Sequence, residues 1–369
     1  MSESLHAEPD SVLHPGEHVR DFLEAQQLSQ SDFAARAGVS EKHVSQIIGG
    51  KAGISAEMAL ALERIVGGGA TMWINLDAAY RLWKAQRDDR LKMEEWIAWA
   101  GEFPLADLRK RGIIRSKRVG PDTVHELLLF FGLAHPEQWE EVCSGAAPRY
   151  RQSQAFDASL KAQLTWLRIC ELRAEVYDLP PFDRNAFEAA LNTIRRRLSE
   201  PPMTLFHEAR QLLSHCGVAM VAEPGVEKAR LSGAAFWPRK NKAVLGLTGR
   251  FKTADHLWFS FFHEAAHILL HRDRNVLEVD GNSGDLEQEA DSHARSMLLP
   301  ARAYTELVAS GIPSLARIEQ TAGEHTLPVD SLIGMLQHDG YLPHSAYREL
   351  RRPVNVQHLL HSIIETERE

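Results

Sequence analysis

The stretch from Thr253 to His271 constrains this chain more than any other. It holds neither proline nor glycine, and Trp258, Phe259, Phe261, Phe262, Ile268, Leu269 and Leu270 surround the run His263-Glu264-Ala265-Ala266-His267. Such apolar density predicts a helix buried through the middle of a domain. Two imidazoles and a carboxylate are costly there unless something satisfies them. Residues four apart share a helix face, so the Nε2 atoms of His263 and His267 converge on one metal while Glu264 points into the same space. That pattern predicts Zn2+ as cofactor, with Glu264 taking the proton from a water the metal acidifies.

A zinc site needs a further protein ligand, and a second helix follows from Leu286 until Pro300 ends it. Glu287 and Asp291 are four apart and share a face, so Glu287 can ligate while Asp291 accepts a hydrogen bond from a ligand histidine. Glu289 lies about 200° from Glu287 on the helical wheel and is the fallback ligand. Upstream, Val218–Ala222, Leu231–Trp237 and Ala243–Thr248 read as strands of a small sheet, one edge of which can pair with an extended substrate. Downstream, Leu315–Gly323 and Val329–Gln337 read as helices. His338 is the candidate to stabilise an oxyanion, with Tyr341 as alternative and a surface histidine before a turn glycine as the plain reading.

The N-terminal part carries different signals. Gln30–Arg36 and Glu41–Ile48 are short helices, Gly38 makes the turn between them and Ser40 caps the second. Small Ala34, the turn glycine and apolar Val44 and Ile47 fit a helix-turn-helix. Its second helix presents Lys42, His43, Ser45 and Gln46 to a major groove, with Gln30 beside them and Lys51 near a phosphate. A helical bundle used for dimerisation is the alternative. Residues 1–80 hold eleven acids against five cations, yet Arg36 to Lys51 opposes three cations to Glu41 alone. Binding is therefore expected to be site-specific and weak on random DNA.

Between these parts the chain is helical and amphipathic, anchored by Trp96, Trp99, Trp139 and Trp166. Arg109-Lys110-Arg111 and Arg115-Ser116-Lys117-Arg118 form its most basic run, read first as a solvated or ion-paired face and second as a phosphate contact. The expected organisation is mainly α with a small β-sheet: an all-α helix-turn-helix domain over 11–85, a helical connector over 86–200 and an α+β domain over 201–355. With 369 residues there is length for two or three cores, and a net charge of −8 argues against broad nucleic-acid binding. Met1–Leu5 lacks the features of a signal peptide and no apolar run approaches a membrane span, so a cytoplasmic protein is expected. Cys143, Cys170 and Cys216 are scattered and read as reduced core thiols.

His263-Glu264-x-x-His267 with Ile268-Leu269-Leu270-His271, Glu287-x-Glu289-Ala290-Asp291 and Leu298-Leu299-Pro300 resembles the ImmA/IrrE family of zinc metallo-endopeptidases. The resemblance implies a zincin-like domain that cuts a repressor protein to control stress or mobile-element genes. His293 stands where that family usually carries an aromatic. His14-Pro15-Gly16-Glu17, Leu28-Ser29-Gln30, Gly38-Val39-Ser40, Gly53-Ile54-Ser55 and Trp73-Ile74-Asn75-Leu76 are similar to HigA-type antitoxins of the XRE family. That likeness implies a homodimer on palindromic operator DNA and a cognate toxin as partner. Leu336-Gln337-His338-Asp339-Gly340 resembles the tail of long fusions of the two. The expected function is a DNA-binding zinc metallo-endopeptidase that regulates transcription, stress or a toxin-antitoxin pair by cutting a repressor or partner protein. The alternatives are an antitoxin or autorepressor whose zinc domain senses without turnover, and a peptidase whose helix-turn-helix binds protein.

Overall fold

Short polar caps punctuate the N-terminal helices. Ser29 accepts from the Asp32 N–H at 3.1 Å while the Asp32 carboxylate reaches back to Ser29, which starts α2 (Gln30–Ala37) after α1 (Pro15–Ala25). Gly38 takes a left-handed conformation with φ 69°, and Ser40 then caps α3 (Glu41–Ile48) through the His43 N–H at 3.2 Å. Ser55 does the same for α4 (Ala56–Ile65) at Met58, and α5 (Ala70–Glu95) is the long helix that follows. Val19, Phe33, Val44, Ile47, Met58, Leu62 and Trp73 form their shared core.

The computed structural model describes residues 12–139, 157–239, 241–250, 252–272, 276–279, 285–309 and 311–354. Met1–Leu5, Cys143 and the bounding residues Ser11 and Asn355 lie outside the described residues. The fold is mainly helical with one four-stranded sheet. Cα packing divides it into two units, one running to Ile97 and including Arg118–His125, the other comprising Ala98–Lys117 and the chain from Glu126 onward. No helix among the described residues is long and apolar enough to cross a membrane.

After α6 (Ile97–Ala100), α7 (Leu105–Lys110) and α8 (Pro121–Phe131) come α9 (Asp157–Ala174), α10 (Arg184–Arg196) and α11 (Pro202–Ser214). The region 86–200 does more than connect. Trp166 of α9 is fully buried beside Gly246, and Phe187, Leu191 and Ile194 of α10 belong to the core that also holds Phe261 and Phe262. Trp139 is buried as well, whereas Trp96 and Trp99 are half-buried. Cys170 and Cys216 are buried free thiols, and burial pushes both above the ordinary thiol value.

The sheet has the order β1-β3-β2-β4, built from β1 (Val218–Ala222), β2 (Leu231–Arg239), β3 (Lys242–Leu247) and β4 (Val276–Val279). β1 and β3 are parallel, while β2 runs antiparallel to both β3 and β4. The fourth strand is absent from the sequence expectation, because four residues between polar stretches offer too short a run for an alternating pattern. Against the sheet lies α12 (Ala254–Leu270), followed by α13 (Asp285–Leu298), α14 (Ala301–Val308), α15 (Leu315–Glu324) and α16 (Val329–His338). The chain end is tied down beside the start of α12. Arg352 bonds the buried Asp330 carboxylate at 2.9 Å, and the Ala254 N–H donates to the Arg352 carbonyl at 2.9 Å.

Gly16 shows how tightly the N-terminal helices meet, since a Cβ built there lies 2.2 Å from the Ile47 carbonyl oxygen. We expect Gly16→Ala to force α1 and α3 apart and to destabilise the N-terminal unit by roughly 1–3 kcal/mol, as overpacked cores do. Chemical denaturation of the variant checks this, and an unchanged midpoint would contradict the packing.

Candidate metal centre and helix-turn-helix surface

Helix α12 turns His263 and His267 toward α13 and Glu264 toward β2. Leu257, Trp258, Phe261, Phe262, Ala265 and Ile268 are buried, and so are His263, Glu264 and His267. Ala290 and Ala294 of α13 are fully buried small residues facing the core, which lets the two helices approach closely. Glu287, one turn before Ala290, is carried into the same space.

The donor atoms of His263, His267 and Glu287 converge. The two Nε2 atoms lie 3.0 Å apart, and Glu287 Oε2 lies 3.1 Å from that of His263 and 3.5 Å from that of His267. Tetrahedral zinc with bonds of 2.0–2.1 Å separates its ligands by about 3.3 Å, so these spacings bracket the edge of such a site. Of the two carboxylates left open by the sequence, the buried Glu287 stands at the centre and the exposed Glu289 does not.

The protons tell the same story. Asp291 Oδ1 lies 2.8 Å from His263 Nδ1, so that nitrogen donates and the His263 Nε2 lone pair faces inward. On the other side His267 Nδ1 lies 2.9 Å from His271 Nδ1, and His271 Nε2 lies 3.1 Å from Glu289 Oε2. The carboxylate of Glu289 accepts only, so His271 Nε2 donates to it, His271 Nδ1 accepts from His267, and the His267 Nε2 lone pair also faces inward. Three acceptor atoms thus crowd together with no proton among them, an arrangement that a cation satisfies. Burial lowers His267 below the ordinary histidine value and favours the neutral, ligating ring.

Glu264 is fully buried on the next step of α12. Its carboxylate lies against Gly233 of β2, where a Cβ would stand 2.3 Å from Glu264 Oε1. Asp291 leads outward through Arg295, 3.9 Å from its Oδ2, to Asp339, 3.5 Å from the same guanidinium. Asp339 accepts from the Tyr304 hydroxyl at 2.5 Å, a bond that adds to burial in raising the Tyr304 phenol. His338 is held by Asp339 at 3.1 Å and stacks on Phe259, with half its side chain in solvent. The structure therefore gathers His263, His267, Glu287 and Asp291 with Glu264 beside them, and places His338 with other partners on α16. Tyr341 packs edge-on to Tyr304, and His293 is half-exposed, so its polar ring is not forced into the core.

The sequence reading missed the His271–Glu289 pair and Gly233. Spacing offered a signal for the first: His271 continues the i, i+4 row of His263 and His267, and Glu289 is too exposed a residue to ligate.

In the N-terminal unit, α3 buries Val44, Ile47 and Ile48 and turns Glu41, Lys42 and Ser45 outward, with His43 and Gln46 half-buried on its flanks. Lys51 is exposed just past the helix end, and Gln30 is half-buried at the start of α2. The basic run elsewhere is largely occupied. Arg111 pairs with Asp107 and the buried Glu223, and Arg109 donates to the Ser116 carbonyl, leaving Lys110, Arg115, Lys117 and Arg118 exposed.

Residues 19–70 match the helix-turn-helix family. Virulence-associated protein I of Dichelobacter nodosus is 38% identical over 78 residues, which are 21% of this chain and 72% of that protein. The uncharacterized HTH-type transcriptional regulator YddM of Escherichia coli K12 is 30% identical over 73 residues, 20% of this chain and 78% of the relative. Among solved structures, the Pseudomonas aeruginosa antitoxin HigA with the higBA promoter is 34% identical, covering 23% of this chain and 94% of that one with a TM-score of 0.22. By these relatives the chain belongs to the helix-turn-helix family, its N-terminal domain being of the XRE type.

Proposed function

We propose that this protein is a DNA-binding regulator that is also a zinc-dependent metallo-endopeptidase, and that it acts by cutting a repressor or partner protein. The observation that carries the peptidase half is the convergence of three inward-facing acceptors, on His263, His267 and Glu287, beside a fully buried glutamate. Zinc bound there supplies Lewis acidity toward water and toward a peptide carbonyl. Three protein ligands would leave a coordination position open, as catalytic sites do and closed structural sites do not. Glu264 then takes the proton of the attacking water on a carboxylate oxygen and passes it to the leaving amine nitrogen. Gly233 keeps room for that carboxylate. β4 is the sheet edge next to β2 and so the edge nearest Glu264, which makes it the strand to hold an extended substrate.

The DNA half rests on family membership and on the outward face of α3, where Lys42, Ser45 and Gln46 meet base edges and Lys51 a phosphate. A homodimer on a palindromic operator, with a toxin as further partner, is the assembly this reading implies.

We expect Glu264→Gln to retain zinc, measured by plasma mass spectrometry, while cleavage of a repressor protein that the wild type cuts falls by roughly 10²-fold or more; full activity in the variant would sink the assignment. Glu289→Gln frees the His271 tautomer and is expected to weaken zinc affinity about 10–100-fold in a chelator competition, although the residue touches no metal. On the DNA side, Lys51→Ala should lower affinity for the protein's own promoter and reduce the log-log salt slope by about 1 in gel-shift titrations. A salt slope equal to the wild type would remove Lys51 from the phosphate contacts.

A further inference from the structure

A second polar site lies in the C-terminal unit at the opposite end of the metal helix from His267. The first turn of α12 and one face of α16 enclose a cavity of about 100 Å³, several times the roughly 10–15 Å³ that one water requires. Trp258, Phe259, Leu298 and Met335 give it apolar walls. Asp255 and Ser331 line it too, both at least nine-tenths buried.

Several polar groups of this cavity lack hydrogen-bond partners, whereas Gln337 and His338, which also line it, are bonded to Ala346 and Asp339. Among the described residues none hydrogen-bonds to Asp255 Oδ1 or Oδ2, to Ser331 Oγ or to the Trp258 indole nitrogen. Arg351 Nε and His256 Nε2 stand 4.0 Å and 3.7 Å from Asp255, both on the Oδ2 side and beyond hydrogen-bonding distance. Arg351 Nη2 donates to Gln337, while its Nε keeps no hydrogen-bond partner and forms only the long ion pair with Asp255. Gly334 is what lets the carboxylate approach α16, since a Cβ there would lie 2.9 Å from Asp255 Oδ2. Ser331 is one turn before Gly334 on the same helix face, so its hydroxyl and the carboxylate border the same space.

A buried carboxylate whose charged neighbours stand beyond hydrogen-bonding distance is expensive, and buried polar groups of native proteins nearly always find partners. His256, Gln337, His338 and His344 also line the cavity, so its wall mixes polar and apolar side chains. The mixture of apolar walls and a few convergent polar atoms is that of a small-ligand pocket. We propose that this cavity binds an aliphatic amine or guanidine: the cationic head donates to Asp255 Oδ1 and to Ser331, and the stem packs on Phe259, Leu298 and Met335. A free amine and the basic side chain of a bound polypeptide share this chemistry. Neither depends on the metal centre being catalytic.

The test uses the full-length protein titrated with n-butylammonium chloride, with Nα-acetyl-lysine amide as the polypeptide-like probe and 1-butanol as the uncharged one. Isothermal calorimetry is expected to show saturable 1:1 binding of one cationic probe at least tenfold tighter than of 1-butanol, and the tighter of the two cations identifies the source. Asp255→Asn should weaken that binding tenfold or more, while Glu264→Gln leaves it unchanged. In protein labelled with ¹⁵N-tryptophan, the Trp258 indole N–H, assigned through Trp258→Phe, should shift with the amine and not with sodium chloride. That second readout stands even where Asp255→Asn fails to fold. Absence of saturable binding, equal affinity for 1-butanol, or a Trp258 signal that does not move would each overturn the proposal.

Discussion

Two carboxylates that touch no metal decide what the centre of this molecule can do. Asp291 fixes the proton of His263 on Nδ1, and Glu289 does the same for His267 through the ring of His271. Each leaves a lone pair on Nε2, aimed at the other and at Glu287. If either outer acceptor were lost, a ring could turn its proton inward and the cluster would close on itself as an ordinary hydrogen-bonded core. The outer pair therefore turns two buried histidines from ordinary polar core residues into inward-facing acceptors, the arrangement that the proposed zinc site requires.

The packing around the cluster follows from this. A helix with two histidines and a glutamate on its inner face can stay buried only if its other faces are strongly apolar, which Trp258, Phe261, Phe262 and Ile268 provide. α13 must come close enough to deliver Glu287 and Asp291, and its inward alanines allow that. β2 must come close to Glu264, and a glycine at 233 allows that. Small residues at Ala290, Ala294 and Gly233 are thus the geometric counterpart of the polar cluster. The helix-turn-helix solves the opposite problem: α3 buries its apolar side and leaves its polar side to a partner.

Much of this was legible in the residues because it rests on short-range periodicity. The i, i+4 rows of His263 and His267 and of Glu287 and Asp291, the Ser40 cap and the Gly38 turn each lie within a few residues. What stayed hidden depends on contacts across the chain. β4 was too short to show a pattern, Gly233 looked like any strand glycine until Glu264 was placed against it, and residues 157–200 read as a connector because amphipathic helices do not announce which core they enter. Arg111 belonged to a basic run in sequence, yet Glu223, over a hundred residues away, claims its charge. His338 was singled out for its neighbours in the chain, whereas its place is set by Asp339 and Phe259.

The sheet edge gives the last step. In the order β1-β3-β2-β4 the strands β1 and β4 are the edges among the described residues, and an open edge invites pairing with another chain. A strand added beyond β1 would have both β1 and β3 between it and β2, which carries Gly233 beside the carboxylate of Glu264. A strand added beyond β4 would have only β4 between it and β2. Backbone pairing at β4 recognises an extended segment without reading its sequence. On the proposed peptidase reading, selection of one partner protein would then come from side-chain pockets, and a buried carboxylate without hydrogen-bond donors, such as Asp255, is the kind of group that supplies it.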